Sequence, residues 1–340
     1  MKKRLLVALP CLLAVGTALG AVGCSALGPA ADPPHARSPD AFPRPAADEF
    51  SVMTFNLHQF RLLDPGPGAD SLTPRPRPEA AALVELLRQV SPDILAVQEM
   101  GDPGAWSEFK FRLRQAGLEY RYEEYLRRDP GDLNLAVLSR YPIVGRFPRT
   151  NDSYTIGPAQ FPVQRGFIEL DLEINPAYRL RLLVAHLKSK TFHEYGQPEM
   201  RRNEARLLGN HVRAALEENP HVNLLVVGDF NDVPGSRPLR EIHTYQGRPV
   251  LADLRPVDPA GDAWTRRDAD DSHQRVDFML ANPGLLNELV LGKTFVAASP
   301  LLLRASDHRP LVATFTARER TPQDAPDLST RRAPEFPQDD

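Results

Sequence analysis

The stretch Val222-Asn223-Leu224-Leu225-Val226-Val227-Gly228-Asp229-Phe230-Asn231-Asp232 carries an apolar run into a glycine, a carboxylate and a carboxamide. A short apolar run ending at turn-forming residues predicts a buried strand. Residues two apart in an extended chain point the same way, so the spacing predicts that Asp229 and Asn231 project together into one cleft, where they could grip a metal-bound phosphate. A later companion, Ser306-Asp307-His308-Arg309-Pro310, sets a carboxylate beside a histidine.

Other segments follow the same design. Ser51-Val52-Met53-Thr54-Phe55-Asn56 ends an apolar run at a carboxamide, and Asp93-Ile94-Leu95-Ala96-Val97-Gln98-Glu99 ends one at a carboxylate. Arg181-Leu182-Leu183-Val184-Ala185-His186 closes on a histidine, while Arg275-Val276-Asp277-Phe278-Met279-Leu280 holds a lone acid inside an apolar strand. Taken singly, an Asp or Asn at a strand end is more often a turn former than a reactive group. Asp277 is harder to dismiss, because an unpaired buried carboxylate is costly.

In order along the chain, the blocks MTFN, LAVQE, LAVLSRYPI, LLVAHLKSK, VVGDFND, QRVDFML and SDHRPLVATF resemble the endonuclease/exonuclease/phosphatase superfamily. That superfamily includes pancreatic-type deoxyribonucleases, exonuclease III-type endonucleases, neutral sphingomyelinases, inositol polyphosphate 5-phosphatases and deadenylases. The resemblance runs from about Phe50 to Thr316 and implies an α+β fold, a four-layered α/β/β/α sandwich in a single domain.

Composition agrees with one globular enzyme. The chain has 340 residues, 42% hydrophobic and 25% charged, which is ordinary for a globular protein. A span of roughly 270 residues can build one large core or two small ones, and the continuous strand series favours one. A monomer is expected. The net charge of −3 becomes −6 once the three bases Lys2, Lys3 and Arg4 are removed with the N-terminal segment. That is no polycation, so any polynucleotide substrate must be held by a local patch or by metals.

Residues 1–23 read as a targeting segment: Lys2, Lys3 and Arg4 begin it, Leu5 to Gly20 is almost wholly apolar, and small residues precede Cys24. The pattern resembles a bacterial lipoprotein signal with Cys24 as the lipidated residue, although Ala21 stands where leucine is more usual. The expected location is therefore a membrane-anchored lipoprotein of the cell envelope. Ordinary cleavage and secretion is the alternative, and Pro10 and Gly16 argue against an uncleaved anchor. Cys11 and Cys24 are the two cysteines, so the folded domain has no thiol and a metal there must use oxygen and nitrogen ligands. Residues 24–48, rich in Pro and Ala, predict a disordered tether. Residues 318–340 read likewise as a tail, leaving 49–317 as the domain.

Within it, the periodicity predicts helices over Pro78–Val90, Trp106–Ala116 and Pro198–Glu218. Strands are predicted near Arg121–Tyr125, Leu133–Ser139, Gly166–Ile174, Arg179–His186, Val222–Val227, Val276–Ala281, Leu289–Val296 and Leu311–Thr316. Segments Gly145–Gln164 and Lys188–Pro198 read as loops where family members build specificity.

Hydrolysis of a phosphodiester needs a cation on the phosphoryl oxygens, a base for the water and help for the leaving oxygen. Hard oxygen ligands suit Mg²⁺ or Mn²⁺. Glu99 is the leading candidate ligand, with Asn56 beside it. His308 is the candidate base, since a neutral imidazole accepts a proton near neutral pH. The resemblance implies Asp277 as its orienter, Asp307 serving the metal or a second metal, and Asp229 managing the water or leaving group. It further implies Asn231 and His186 as donors to the phosphoryl oxygens. His35, His58, His193, His211, His221, His243 and His273 are assigned no role, and Lys188 and Arg165 are as compatible with solvation as with touching a phosphate. The substrate is a phosphodiester of nucleic acid or of a lipid head group, with nucleic acid favoured slightly; a non-catalytic surface lipoprotein is a distant third reading.

Overall fold

Alternation along the strand Glu49–Phe60 sorts its side chains onto two faces: Phe50 and Val52 enter one buried cluster, while Met53, Phe55 and Leu57 enter another. The same sorting repeats across two six-stranded sheets. In chain order the strands are β1 (Glu49–Phe60), β2 (Ile94–Met100), β3 (Tyr122–Leu126), β4 (Asn134–Ser139), β5 (Ile143–Arg146) and β6 (Phe167–Asn175). They continue with β7 (Tyr178–His186), β8 (Leu224–Asp229), β9 (Ala252–Asp253), β10 (Asp277–Ala281), β11 (Phe295–Val296) and β12 (Leu311–Thr316). One sheet runs β11-β12-β1-β2-β4-β3, the other β9-β10-β8-β7-β6-β5. The β1–β2 and β7–β8 pairs are parallel and their other neighbours antiparallel. This computed structural model describes residues 42–321, apart from 62, 66–71, 75, 76 and 129–132, together with Leu328. The targeting segment, Cys24 and most of the proposed tether and tail lie outside the described residues.

The two sheets face each other across a core of Val52, Ile94, Val137, Leu182, Val227 and Met279. Outside the first sheet lie α1 (Arg77–Val90) and α2 (Pro103–Gln115). Leu83, Leu86, Leu87 and Val90 are spaced for one helical face and are buried against that sheet. Asp102 caps α2 by accepting the Ala105 N–H at 2.8 Å, and Pro103 starts it. Outside the second sheet lie α3 (Gln197–Glu218) and α4 (Arg237–His243), which bury Leu208, Val212, Leu239 and Ile242. The result is the expected α+β sandwich of four layers, α/β/β/α.

Four expectations need correction. Of Leu289–Val296 only Phe295–Val296 is a named strand; Leu289 makes an isolated antiparallel bridge to Phe315, and Leu291–Lys293 then turns as a 3₁₀ helix through Gly292. Gly145–Gln164 is not simply a loop, since Ser153–Ile156 and Ala159–Pro162 pair as a hairpin about Gly157. The tether is packed before residue 49: Phe42 is buried and stacks on Phe295 at 5.5 Å, and Arg44 donates to the Val90 carbonyl at 2.7 Å. At the far end Glu319 accepts from Asn223 at 2.9 Å, so the first tail residues are also held.

Gly228 decides how closely β7 and β8 approach. Its φ is +138°, and a Cβ there would lie 1.9 Å from the Ala185 carbonyl oxygen. Backbone cannot yield as a side-chain tip can, so Gly228→Ala is expected to cost about 1–3 kcal/mol or more in urea unfolding. An unchanged midpoint and slope would contradict this account.

Candidate active site

Strand register assembles the polar groups before any side chain chooses a rotamer. His186, Asp229 and Asp277 are direct neighbours across β7, β8 and β10. Each shares strand parity with residues of the inter-sheet core, Val184, Val227 and Met279, so all three face the opposing sheet. From that sheet Asn56, at the polar end of β1, reaches across. Its Nδ2 donates to Asp229 Oδ2 at 3.0 Å and to Glu99 Oε1 at 3.2 Å.

Glu99 reaches the cleft by a break in the strand. Parity puts Gln98, not Glu99, on the inter-sheet side with Ala96, and Gln98 is consumed there by a pair of hydrogen bonds with Thr54. Glu99 has φ +60°, and the pairing of β2 shifts register on both sides of it. A non-glycine residue held in that region is strained and calls for a functional explanation. Glu99 Oε2 is buried and has no hydrogen-bond partner among the described residues.

His308 lies just before β12. Its backbone N–H donates to Ser306 Oγ at 3.0 Å, and that hydroxyl donates to the Asn56 carbonyl at 2.9 Å, which ties the loop to β1. His308 Nδ1 is 2.8 Å from Asp277 Oδ2, and Nε2 lies 3.9 Å from Asp229 Oδ2. Asp277 is itself positioned, because its N–H and that of Val276 both donate to Thr265 Oγ1 at 3.0 Å.

The charges are crowded. Burial alone would lower the His308 pKa, but Asp277, through charge and hydrogen bond, with Asp229 and Asp307, outweighs it and pushes the group up to about 10. Burial and then the Asp277 charge raise Asp229 to about 7, against the pull of His308 and the Asn231 N–H. His186 goes the other way: burial, then the positive charges of Arg165, His308, Arg266 and Lys188, hold it well below its ordinary range and neutral. His186 Nε2 stands 3.5 Å from Asp229 Oδ2 and 3.9 Å from Glu99 Oε1, so its one proton belongs on Nε2.

Two residues sit differently from expectation. Asn231 is outside the strand at φ +53°, so the two-residue spacing from Asp229 does not align them. Its N–H donates to Asp229 Oδ1 at 2.8 Å, and its amide to the Leu187 carbonyl at 3.0 Å and to Asp229 Oδ2 at 3.3 Å. Those bonds occupy the carboxamide in holding Asp229, not in reaching a phosphoryl oxygen. Asp307 faces His58 Nδ1 at 3.5 Å and Arg266 Nε at 3.7 Å, and its Oδ1 is buried without a hydrogen-bond partner among the described residues. Arg165 is buried and donates to the Leu187 carbonyl at 3.0 Å, supporting the end of β7. His211, assigned no role, lies on α3 and is bonded to Asp152 at 2.7 Å.

Sequence reading missed Thr265, Ser306 and Arg266. Ser306 belongs to the quoted SDH block and was open to notice; Thr265 acts through its hydroxyl on the distant Val276 and Asp277 N–H groups, and Arg266 through its pair with Asp307 and its bridge to His308, long-range contacts that no local pattern encodes.

Asp229, Asp277 and His308 present potential ligand atoms within 4.8 Å of one another. Asp277 and His308 already spend Oδ2 and Nδ1 on each other, however. Glu99 Oε2 and Asp307 Oδ1 are buried carboxylate oxygens with no hydrogen-bond donor among the described residues, an arrangement that is costly as it stands. The carboxylates of Glu99 and Asp229, oriented by Asn56, whose Nδ2 donates to both while its Oδ1 accepts the His58 N–H at 3.0 Å, offer oxygen ligands that fit a hard divalent cation.

Similar folds are widespread among solved structures. The endonuclease/exonuclease/phosphatase from Beutenbergia cavernae DSM 12333 is 20% identical, with a TM-score of 0.54 over 79% of this chain and 72% of that one. The human nocturnin catalytic domain is 18% identical, with a TM-score of 0.54 over 80% and 95%. Sphingomyelinase C from Streptomyces griseocarneus is 17% identical, with a TM-score of 0.51 over 78% and 99%. No curated protein sequence matches the chain. Residues 53–308, three quarters of the sequence and all of the cleft just described, match the family described as Endonuclease/Exonuclease/phosphatase family, and the chain belongs to it.

Proposed function

We propose that this chain is a Mg²⁺- or Mn²⁺-dependent phosphodiesterase acting on nucleic acid or a related phosphodiester. The observation that carries the reading is the Asp277–His308 pair, its Nε2 turned toward Asp229, across the cleft from the partnerless Glu99 Oε2. Glu99 and Asp229, with Asn56 orienting both carboxylates, would hold the cation, which would supply Lewis-acid stabilisation of charge on the phosphoryl oxygens.

Asp277 fixes the His308 ring through Nδ1, leaving Nε2 to take a proton from the attacking water. The neutral His186 donates from Nε2 to a phosphoryl oxygen. Asn231 holds the Asp229 carboxylate. Asp229, one of the carboxylates that favour the protonated His308, would also hold the dication, so cation binding would ease release of the His308 proton.

Purified protein should hydrolyse bis(p-nitrophenyl) phosphate with Mg²⁺ or Mn²⁺, lose that activity in EDTA and regain it on metal addition. Full activity in chelator would sink the metal role. A parallel panel of plasmid DNA, RNA, sphingomyelin and phosphatidylinositol phosphates should show cleavage of nucleic acid. Lipid cleavage without nicking of DNA or RNA would overturn the substrate and leave the catalytic assignments in place.

The protein is further proposed to be exported and anchored through lipidated Cys24. Cys24→Ser should abolish labelling by a fatty-acid analogue and release the protein from membranes. Wild-type protein found unlabelled in the medium would mean ordinary secretion.

A further inference from the structure

A second cavity, of about 400 Å³, opens two residues past His186, within the size range of sites for small organic ligands. The end of β7 leads straight into it. The Leu187 carbonyl is pinned by Arg165 and Asn231, and Lys188 is the next lining residue. The charges of Arg165 and Lys188 bear on both His186 in the cleft and Glu204 at this cavity, which puts the opening within reach of a molecule whose phosphate lies against His186.

The walls divide by chemistry. On one side Tyr154 and Phe161 face each other across the hairpin, ring centres 5.9 Å apart, with Tyr195 packed behind Phe161 at 5.0 Å. On the other, Glu204 projects from α3, is buried, and accepts the Lys188 N–H at 2.6 Å; Arg128 stands at the same cavity. Arg128 Nε is buried without a hydrogen-bond partner among the described residues, while the Tyr154 hydroxyl lies against the Glu204 carboxyl. Native interiors rarely leave a buried donor unmatched, so a purely packing role for this cavity accounts poorly for Arg128.

We propose that this cavity is a base subsite, taking the nucleobase attached to the scissile phosphate and favouring guanine; the proposal rests on the phosphodiesterase reading above. An aromatic wall gives a base its stacking partner, as is general in recognition of unpaired bases. Guanine presents its ring N1–H and exocyclic amino group side by side, a pair of donors suited to the Glu204 carboxylate. It presents O6 and N7 as acceptors, which Arg or Lys side chains match; Arg128 and Lys188 occupy that role. Adenine has no N1–H and offers an amino group where guanine has O6, so it confronts donors with a donor. A quaternary ammonium head group would suit an aromatic wall with a carboxylate, but Arg128 and Lys188 repel it.

The test uses the full chain. GMP, AMP and phosphocholine are titrated calorimetrically, and hydrolysis of the p-nitrophenyl esters of GMP and AMP is compared with that of bis(p-nitrophenyl) phosphate. GMP should bind at least about tenfold more tightly than AMP or phosphocholine, the discrimination expected of one well-made bidentate contact. In Glu204→Gln, and separately in Phe161→Ala on the hairpin, the ratio of kcat/KM for the guanosine ester to that for bis(p-nitrophenyl) phosphate should fall about tenfold.

Equal binding of GMP and AMP, tighter binding of phosphocholine, or an unchanged ratio in both variants would overturn the subsite. Failure to hydrolyse any ester, with GMP preference intact in the titration, would instead overturn the phosphodiesterase reading.

Discussion

His308→Ala should lower kcat on bis(p-nitrophenyl) phosphate by a factor of about 10² to 10⁴, the range for a lost general base. The imidazole is buried and hydrogen-bonded to Asp277 at 2.8 Å through Nδ1, which leaves Nε2 to face the cleft. His186 cannot replace it: burial and surrounding positive charge keep it neutral, but its Nε2 faces carboxylates and carries the proton. His211→Ala is the control. That histidine bonds Asp152 beside α3, so its removal costs a hydrogen bond and should leave kcat unchanged. Equal losses at both positions would show that the effect is unfolding, and the general-base assignment would fall.

Glu99→Gln is expected to cost a factor of about 10² or more in rate at fixed Mg²⁺, equivalent to roughly 3 kcal/mol of transition-state stabilisation. The substitution keeps the shape of the side chain and its acceptance of the Asn56 amide through Oε1, and discards the charge. The loss should be accompanied by weaker Mg²⁺ binding in direct titration. Since Glu99 Oε2 has no donor in the protein itself, neutralising it removes no internal bond, and the unfolding temperature in EDTA should hold or rise. A variant with full activity and unaltered Mg²⁺ affinity would remove Glu99 from the metal site; one that melts far earlier would make its role structural.

The strand ends were legible because burial imposes a local rule. An apolar run such as Leu224–Val227 has one stable destination, a buried strand, and its first polar residue marks where that strand meets water or a cleft. That rule locates Asn56, His186, Asp229 and Asp277 in the sequence, and the ordered blocks identify the family that residues 53–308 match. The helices were legible for the same reason: the spacing of Leu83, Leu86, Leu87 and Val90 serves only a helix with one buried face.

The rest depends on contacts between segments far apart in the chain. Extended geometry predicts that Asp229 and Asn231 point together, but Asn231 leaves the strand in a left-handed conformation to bond Leu187. Parity turns Glu99 away from the cleft, and the strained φ that brings it near Asn56 is stable only because both neighbouring strands shift register there. Phe42 looked like part of a tether until Phe295, some 250 residues later, supplied a ring to stack on. Glu204 resembles any acid on an amphipathic helix, and only the packing of α3 against the end of β7 makes it a buried group at a cavity. By itself the sequence determined which residues are buried strand or helix and which polar residues end them, because local periodicity and hydrophobicity suffice. Tertiary structure alone decided which of those polar residues meet, because a carboxylate's partner is set by strand register and close packing across the fold.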